Sequence, residues 1–125
     1  MRPSQTYSTY LTHISEEIER AQGFLGDMRF EEFVADKVTN YATVRALEII
    51  GEATKRLPSE VRALDPDIPW SDMARTRDRV IHGYDNVDLT VVWETVQHDL
   101  PPLLPRIQRL QRLLEQREDE EWERG

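Results

Sequence analysis

The sequence predicts an all-α protein, an up-and-down bundle of about five helices. Three observations point there. Apolar residues recur every three or four positions along most of the chain. No stretch shows the two-residue alternation of a half-buried strand. Prolines and glycines fall where each periodic run stops. A length of 125 residues suits one domain with a single hydrophobic core.

The elements run in chain order. Tyr7, Tyr10, Leu11, Ile14, Ile18, Ala21 and Leu25 form one stripe, with Glu16, Glu17, Glu19 and Arg20 between them. That is an amphipathic helix ending near Gly23 or Gly26. A short helix is expected over 30–35. A third starts near Asp36 or Thr39 and ends at Leu57, before Pro58. Its apolar set is broad (Val38, Tyr41, Ala42, Val44, Leu47, Ile49, Ile50 and Ala53), which predicts burial on more than one side. Gly51 inside it costs about 1 kcal/mol relative to alanine and is read as a place where another backbone comes close, the alternative being a glycine that is simply tolerated. Ser59 can cap a short helix through Leu64, and the two prolines of 65–69 make a loop. A helix over 70–81 comes next, started by Pro69 or Ser71 and stopped at Gly83. Asp88 can cap the last helix, which Pro101, Pro102 and Pro105 must kink or interrupt. The first and last helices are apolar enough to leave surface for a second copy, or to be used up within one protomer.

Composition narrows the function. There is no cysteine, so disulfides and zinc–thiolate sites are excluded and a reducing compartment fits. No apolar run approaches the roughly 18 residues of a membrane span, and the N-terminal six residues lack an apolar signal core, so the cytoplasm is the expected location. A net charge of −8, from 16 basic and 24 acidic side chains, argues against a broad phosphate-tracking surface while leaving room for a small local site. Residues 115–124 hold six acids and two arginines, so a helical domain over 1–114 is followed by an acidic segment over 115–125, read as a solvated helix end.

One segment does not read as packing. Arg75-Thr76-Arg77-Asp78-Arg79-Val80-Ile81-His82-Gly83-Tyr84 gathers three arginines, a histidine and a tyrosine at a helix end. On a continuous helix Arg77 and His82 would lie about 140° apart, whereas Asp78 and His82, four apart, would share a face. Asp78 would then orient the imidazole and favour its protonated form, helped by the negative helix end. An imidazole can move protons, and a planar, permanently charged guanidinium suits a phosphate. Capping and surface ion pairing form the competing account of the same residues. His13 and His98 have no such company and read as surface residues. No nucleophilic triad, metal-ligand pattern or glycine-rich phosphate loop is present.

At this segment the chain resembles the HepT-like HEPN ribonucleases. Arg77, four residues, His82, one residue, Tyr84 matches the family signature. Leu47-Glu48-Ile49-Ile50-Gly51-Glu52-Ala53, Ile68-Pro69-Trp70 and Val87-Asp88 match its context in the same order, from about residue 7 to 105. The resemblance implies a HEPN-like bundle that dimerises, with an RNA-cleaving cleft across the two-fold axis. It implies Arg77 and His82 as the catalytic pair, with Asp78 and Arg79 supporting, and no metal or cofactor. Asp78 stands where the family commonly has asparagine. The resemblance further implies a toxin paired with a minimal nucleotidyltransferase antitoxin of the MntA type, which attaches AMP to Tyr84. The alternative from a different class is a non-catalytic subunit that presents a nucleotide or substrate to such a nucleotidyltransferase. A third is a purely structural dimerisation bundle.

Overall fold

In a computed structural model, residues 6–124 are described, and they are overwhelmingly helical. Residues 1–5, which carry most of the N-terminal stretch expected to lack a signal core, lie outside the described residues. Helix α1 spans Tyr7–Leu25. It opens with a capping box in which the Thr6 hydroxyl accepts from the Thr9 N–H and the Thr9 hydroxyl accepts from the Thr6 N–H. It closes at Gly26, whose φ of 48° lies where a side chain would be strained. Helix α2 spans Phe30–Ala35 and α3 spans Lys37–Lys55. The Asp36 carboxylate caps α3, accepting from the Thr39 N–H at 3.0 Å. That bond and a second from the Thr39 side chain hold the Asp36 carboxyl below its ordinary pKa.

Helix α4 covers only Ser59–Arg62, shorter than expected. Pro58 is its cap residue, and the Ser59 hydroxyl turns to Glu60 instead of the helix N-terminus. The single helix expected over 70–81 is two: α5, Trp70–Ala74, and α6, Thr76–Val80. The break falls at Arg75, with φ −100° and ψ 14°. The Arg75 N–H is shared among carbonyls of the α5 turn, which tightens the chain there and redirects it. Gly83 is not the stop, because Ile81 is already extended and pairs with Val87 in an isolated antiparallel bridge, a pairing the periodicity did not predict.

Helix α7, Leu89–Glu94, starts from Asp88, whose carboxylate accepts from the Val91 N–H at 3.1 Å. A π-helical turn over Thr95–Asp99 comes next, and α8 runs over Leu100–Arg124. The prolines therefore act differently from expectation. Pro101 and Pro102 sit in the first turn of α8 and leave the carbonyls of Gln97 and His98 without α-helical donors. The chain before them takes the wider turn, and the Leu100 N–H reaches Thr95 five residues back. Helix α8 continues through Pro105.

The core is built where α3 lies against α1, α5, α6 and α7, and α8 lies against α1. Leu11, Ile14 and Ile18 of α1, Leu47 and Ile50 of α3, and Ile107 of α8 are almost wholly buried. Gly51 allows α3 to come close to the α5–α6 junction: a Cβ there would stand 3.4 Å from the Met73 carbonyl oxygen. Trp70 closes the loop before α5, its indole N–H donating to the Arg62 and Asp65 carbonyls at 3.0 Å each. Arg106 of α8 ties the same loop through Asp65 at 3.0 Å.

One apolar expectation is corrected. Val38 and Tyr41 belong to the broad apolar set of α3, yet they are 82% and 75% exposed. The C-terminal two-thirds of α3 is enclosed as expected, whereas its first turns keep Val38 and Tyr41 outside the packing. Of the two accounts left open for α1 and α8, neither holds alone: the protomer buries Leu25, Leu103, Leu110 and Leu114 and leaves Tyr7, Phe24, Leu113 and Trp122 exposed. Helix α8 does not break between residues 114 and 115. Glu118 reaches across to α1, accepting from the Ser8 N–H at 3.2 Å and from the Ser8 hydroxyl. No helix among the described residues is long and apolar enough to cross a membrane.

Candidate functional site

Helix α6 is a single amphipathic turn. Thr76 and Val80, four apart, face the core and are buried, and the Thr76 hydroxyl donates to the Met73 carbonyl at 2.7 Å. Arg77, Asp78 and Arg79 therefore face outward and are exposed. The chain then leaves the helix, and two backbone bonds of 2.7 Å clamp it as it does so: the Asp88 N–H donates to the Val80 carbonyl, and the His82 N–H to the Asn86 carbonyl. Ile81 and Val87, paired at the base, pack on the core. Gly83, with φ 84°, makes the turn that a side chain would strain. The result is a short protruding loop over 82–86 on a fixed stem.

This placement changes how the expected residues relate. Asp78 and His82 do not share a helical face, because the helix ends between them at Val80. Asp78 is thus no orienting group of the kind an i, i+4 pair would make. The imidazole of His82 is exposed and has no hydrogen bond or ion pair among the described residues. Its main chain is held while its ring is open to solvent.

The arginines diverge. Arg77 Nε lies 3.8 Å from Glu48 Oε2 of α3. Arg79 turns to the other side, with its guanidinium 3.6 Å from Asp99 in the π-helical turn, and lines a separate cavity there. Arg77, paired towards α3, and Arg79, paired towards the π-helical turn, thus part company. Tyr84 is 98% exposed at the loop tip.

Beside the loop is a groove of about 520 Å³ between α3 and 81–89. Ile81, Val87 and Val44 contribute apolar lining, and Glu48 and Tyr84 belong to the same groove, so it adjoins the Arg77 ion pair. Lys37, Tyr41 and Arg45 line its α3 side. Sequence reasoning missed Glu48 as the partner of Arg77 and missed the three α3 residues. The latter had a legible signal, since positions 37, 41 and 45 are spaced by four and put cation, aromatic and cation on one face. The Glu48 pairing had none, because it depends on how α6 docks on α3. His13 and His98 are exposed helix residues as expected, with His98 beside Glu94 at 3.2 Å.

The family model described as Ribonuclease HepT-like matches residues 14–110. A Thermococcus cleftensis protein named "Probable ribonuclease HepT" is 44% identical over 108 residues, covering 86% of this chain and 98% of that protein. A protein of Caldanaerobacter subterraneus subsp. tengcongensis named as a "Putative RNase" is 41% identical over 110 residues, covering 85% and 95%. A Methanocaldococcus jannaschii protein with the same description is 35% identical over 115 residues, covering 92% and 99%. No solved structure matches the chain.

Proposed function

This chain belongs to the Ribonuclease HepT-like family, and on that premise we propose that it is an endoribonuclease that works without metal through Arg77 and His82. The observation that carries the reading is the exposed, unengaged His82 ring on a clamped stem, one turn beyond an exposed Arg77. In such a reaction the ribose 2′-oxygen attacks the adjacent phosphorus. A P–O2′ bond forms as the P–O5′ bond breaks, leaving a 2′,3′-cyclic phosphate and a free 5′-hydroxyl. An imidazole accepts the 2′-hydroxyl proton, and an imidazolium delivers one to the departing 5′-oxygen. The Arg77 guanidinium takes up the charge that builds on the phosphoryl oxygens, for which Glu48 at 3.8 Å is a loose competitor.

One histidine per site serves two proton transfers poorly, which supports a composite site in a homodimer. The exposed Val34 of α2 and Val38 of α3 offer an apolar seat for the second copy. In this reading the chain is the toxin of a toxin–antitoxin pair, silenced when a minimal nucleotidyltransferase of the MntA type attaches AMP to Tyr84. The exposure of Tyr84 supports it: a phenol open on all sides can enter a partner's active site, and an added phosphate would repel RNA from the groove.

The test is cleavage of a labelled RNA in EDTA. Wild type cuts, and Arg77→Ala or His82→Ala lowers the rate by about 10²–10⁴, the usual worth of a positioned acid–base group. Persistent cutting by the double variant overturns the catalytic pair. Intact mass after coexpression with a nucleotidyltransferase should show adenylyl additions that Tyr84→Phe abolishes. The second reading, a non-catalytic subunit presenting a nucleotide, is favoured by the Asp78 carboxylate in α6 and by the net charge of −8. It predicts nucleotide binding without RNA cleavage.

A further inference from the structure

Three features of the groove between α3 and the 81–89 loop call for an occupant. Tyr41 holds its ring 75% exposed, although packing would normally hide it. Lys37 and Arg45 stand one helical turn to either side, about 6 Å away along the axis. Neither has an ion pair among the described residues. The lining carries two cations, Lys37 and Arg45, against two carboxylates, Glu48 and Asp85, so the groove is neutral while the protein as a whole carries −8.

We propose that Lys37, Tyr41 and Arg45 form a subsite that binds the nucleotide next to the scissile phosphate of a single-stranded RNA. The base stacks on Tyr41 over the apolar lining of Val44 and Val87, and the flanking phosphates meet Lys37 and Arg45. A groove of about 520 Å³ is within the size range of small-ligand sites. Stacking on an aromatic ring needs an unpaired base, so the subsite selects single strands over duplex, whose bases are already stacked on each other. The position comes from Glu48, which lines the groove and holds Arg77, so the chain entering the groove runs past the proposed phosphate site. The identity of the ligand rests on the nuclease reading.

The experiment uses the full chain and a fluorescein-labelled oligoribonucleotide with 2′-O-methyl riboses, which lacks the attacking hydroxyl and cannot be cut. Fluorescence anisotropy reads binding, and sedimentation reads oligomeric state. Tyr41→Ala is expected to weaken binding by about 5- to 150-fold, the range for removal of one stacked base, and Tyr41→Phe to restore it. The double variant Lys37→Ala/Arg45→Ala is expected to flatten the dependence of log affinity on log salt by roughly 0.7 for each phosphate no longer neutralised. A duplex probe of the same sequence should respond less to Tyr41→Ala. Unchanged affinity and salt slope in folded variants overturns the subsite. A change in oligomeric state on Tyr41→Ala also overturns it, because the ring then belongs to the interface between copies. Cleavage of an unmodified RNA separates the two ideas. If His82→Ala abolishes cutting while Tyr41→Ala binds as wild type, the subsite alone fails. If His82→Ala still cuts while Tyr41→Ala loses affinity, the catalytic assignment alone fails.

Discussion

Two carboxylates act oppositely on Arg77. Glu48, half-buried on α3, draws the guanidinium towards α3 at 3.8 Å, whereas Asp78 neighbours it on α6 with no ion pair among the described residues. An unpaired negative charge beside a phosphate site works against substrate approach. Asp78→Asn is therefore expected to lower the KM for RNA at low ionic strength by up to about fivefold, the worth of roughly 1 kcal/mol of exposed Coulomb repulsion. The gain should fade as salt screens it. Equal KM values for the two proteins at low salt would remove Asp78 from the substrate's path. Arg79 is a different case: its pairing with Asp99 makes it a tie between α6 and the π-helical turn.

At the scale of elements, the site depends on the α5–α6 junction sitting close to α3. Gly51 permits that approach. Gly51→Ala puts a methyl at ordinary van der Waals distance from the Met73 carbonyl and improves helix propensity, so it should be nearly neutral. Gly51→Val has no such room. It should cost about 1–3 kcal/mol, the usual range for overpacking, read as a lower thermal midpoint. Because α6 would have to shift, cleavage should fall more than the loss of folded protein explains. A Gly51→Val protein as stable and active as wild type would show that the packing there is slack. The helix of 70–81 shows what local pattern misses: the periodicity and the Pro69 start are right, but the break at Arg75 and the exit at Val80 arise from docking on α3 and from the Ile81–Val87 pairing.

Across the whole molecule, α1 and α8 form a long clasp that the composition of residues 115–125 disguises. Acidic and hydrophilic, that segment reads as a frayed end, yet Glu118 accepts from the Ser8 N–H in the first turn of α1, where the helix dipole favours a negative charge. Gln111 accepts from the Ser15 hydroxyl at 3.1 Å further along. Truncation after Leu114 should therefore lower stability by about 1 kcal/mol, a few degrees in the melting midpoint of a domain this size. Glu118→Gln should reproduce part of the effect. A truncated protein that melts with the full chain would mean the clasp contributes nothing.

By itself the sequence determined the helical class, the three long helices, the start of one near Asp36, the cap at Asp88, Gly51 as a candidate for close approach, and the gathering of Arg77, His82 and Tyr84 at one helix end. Periodicity, capping chemistry and turn residues are local, and each acts within a few positions of where it is read. Tertiary structure alone decided that Arg77 meets Glu48 while Arg79 turns away to Asp99, that His82 rides on a clamped loop instead of a helix, and that Tyr41 is exposed while Leu47 is buried. The physical reason is that an apolar or charged side chain carries no record of which neighbour will cover or pair with it. That depends on elements distant in sequence, and where α3 begins they leave Tyr41 in an open groove facing 81–89 where the pattern promised core.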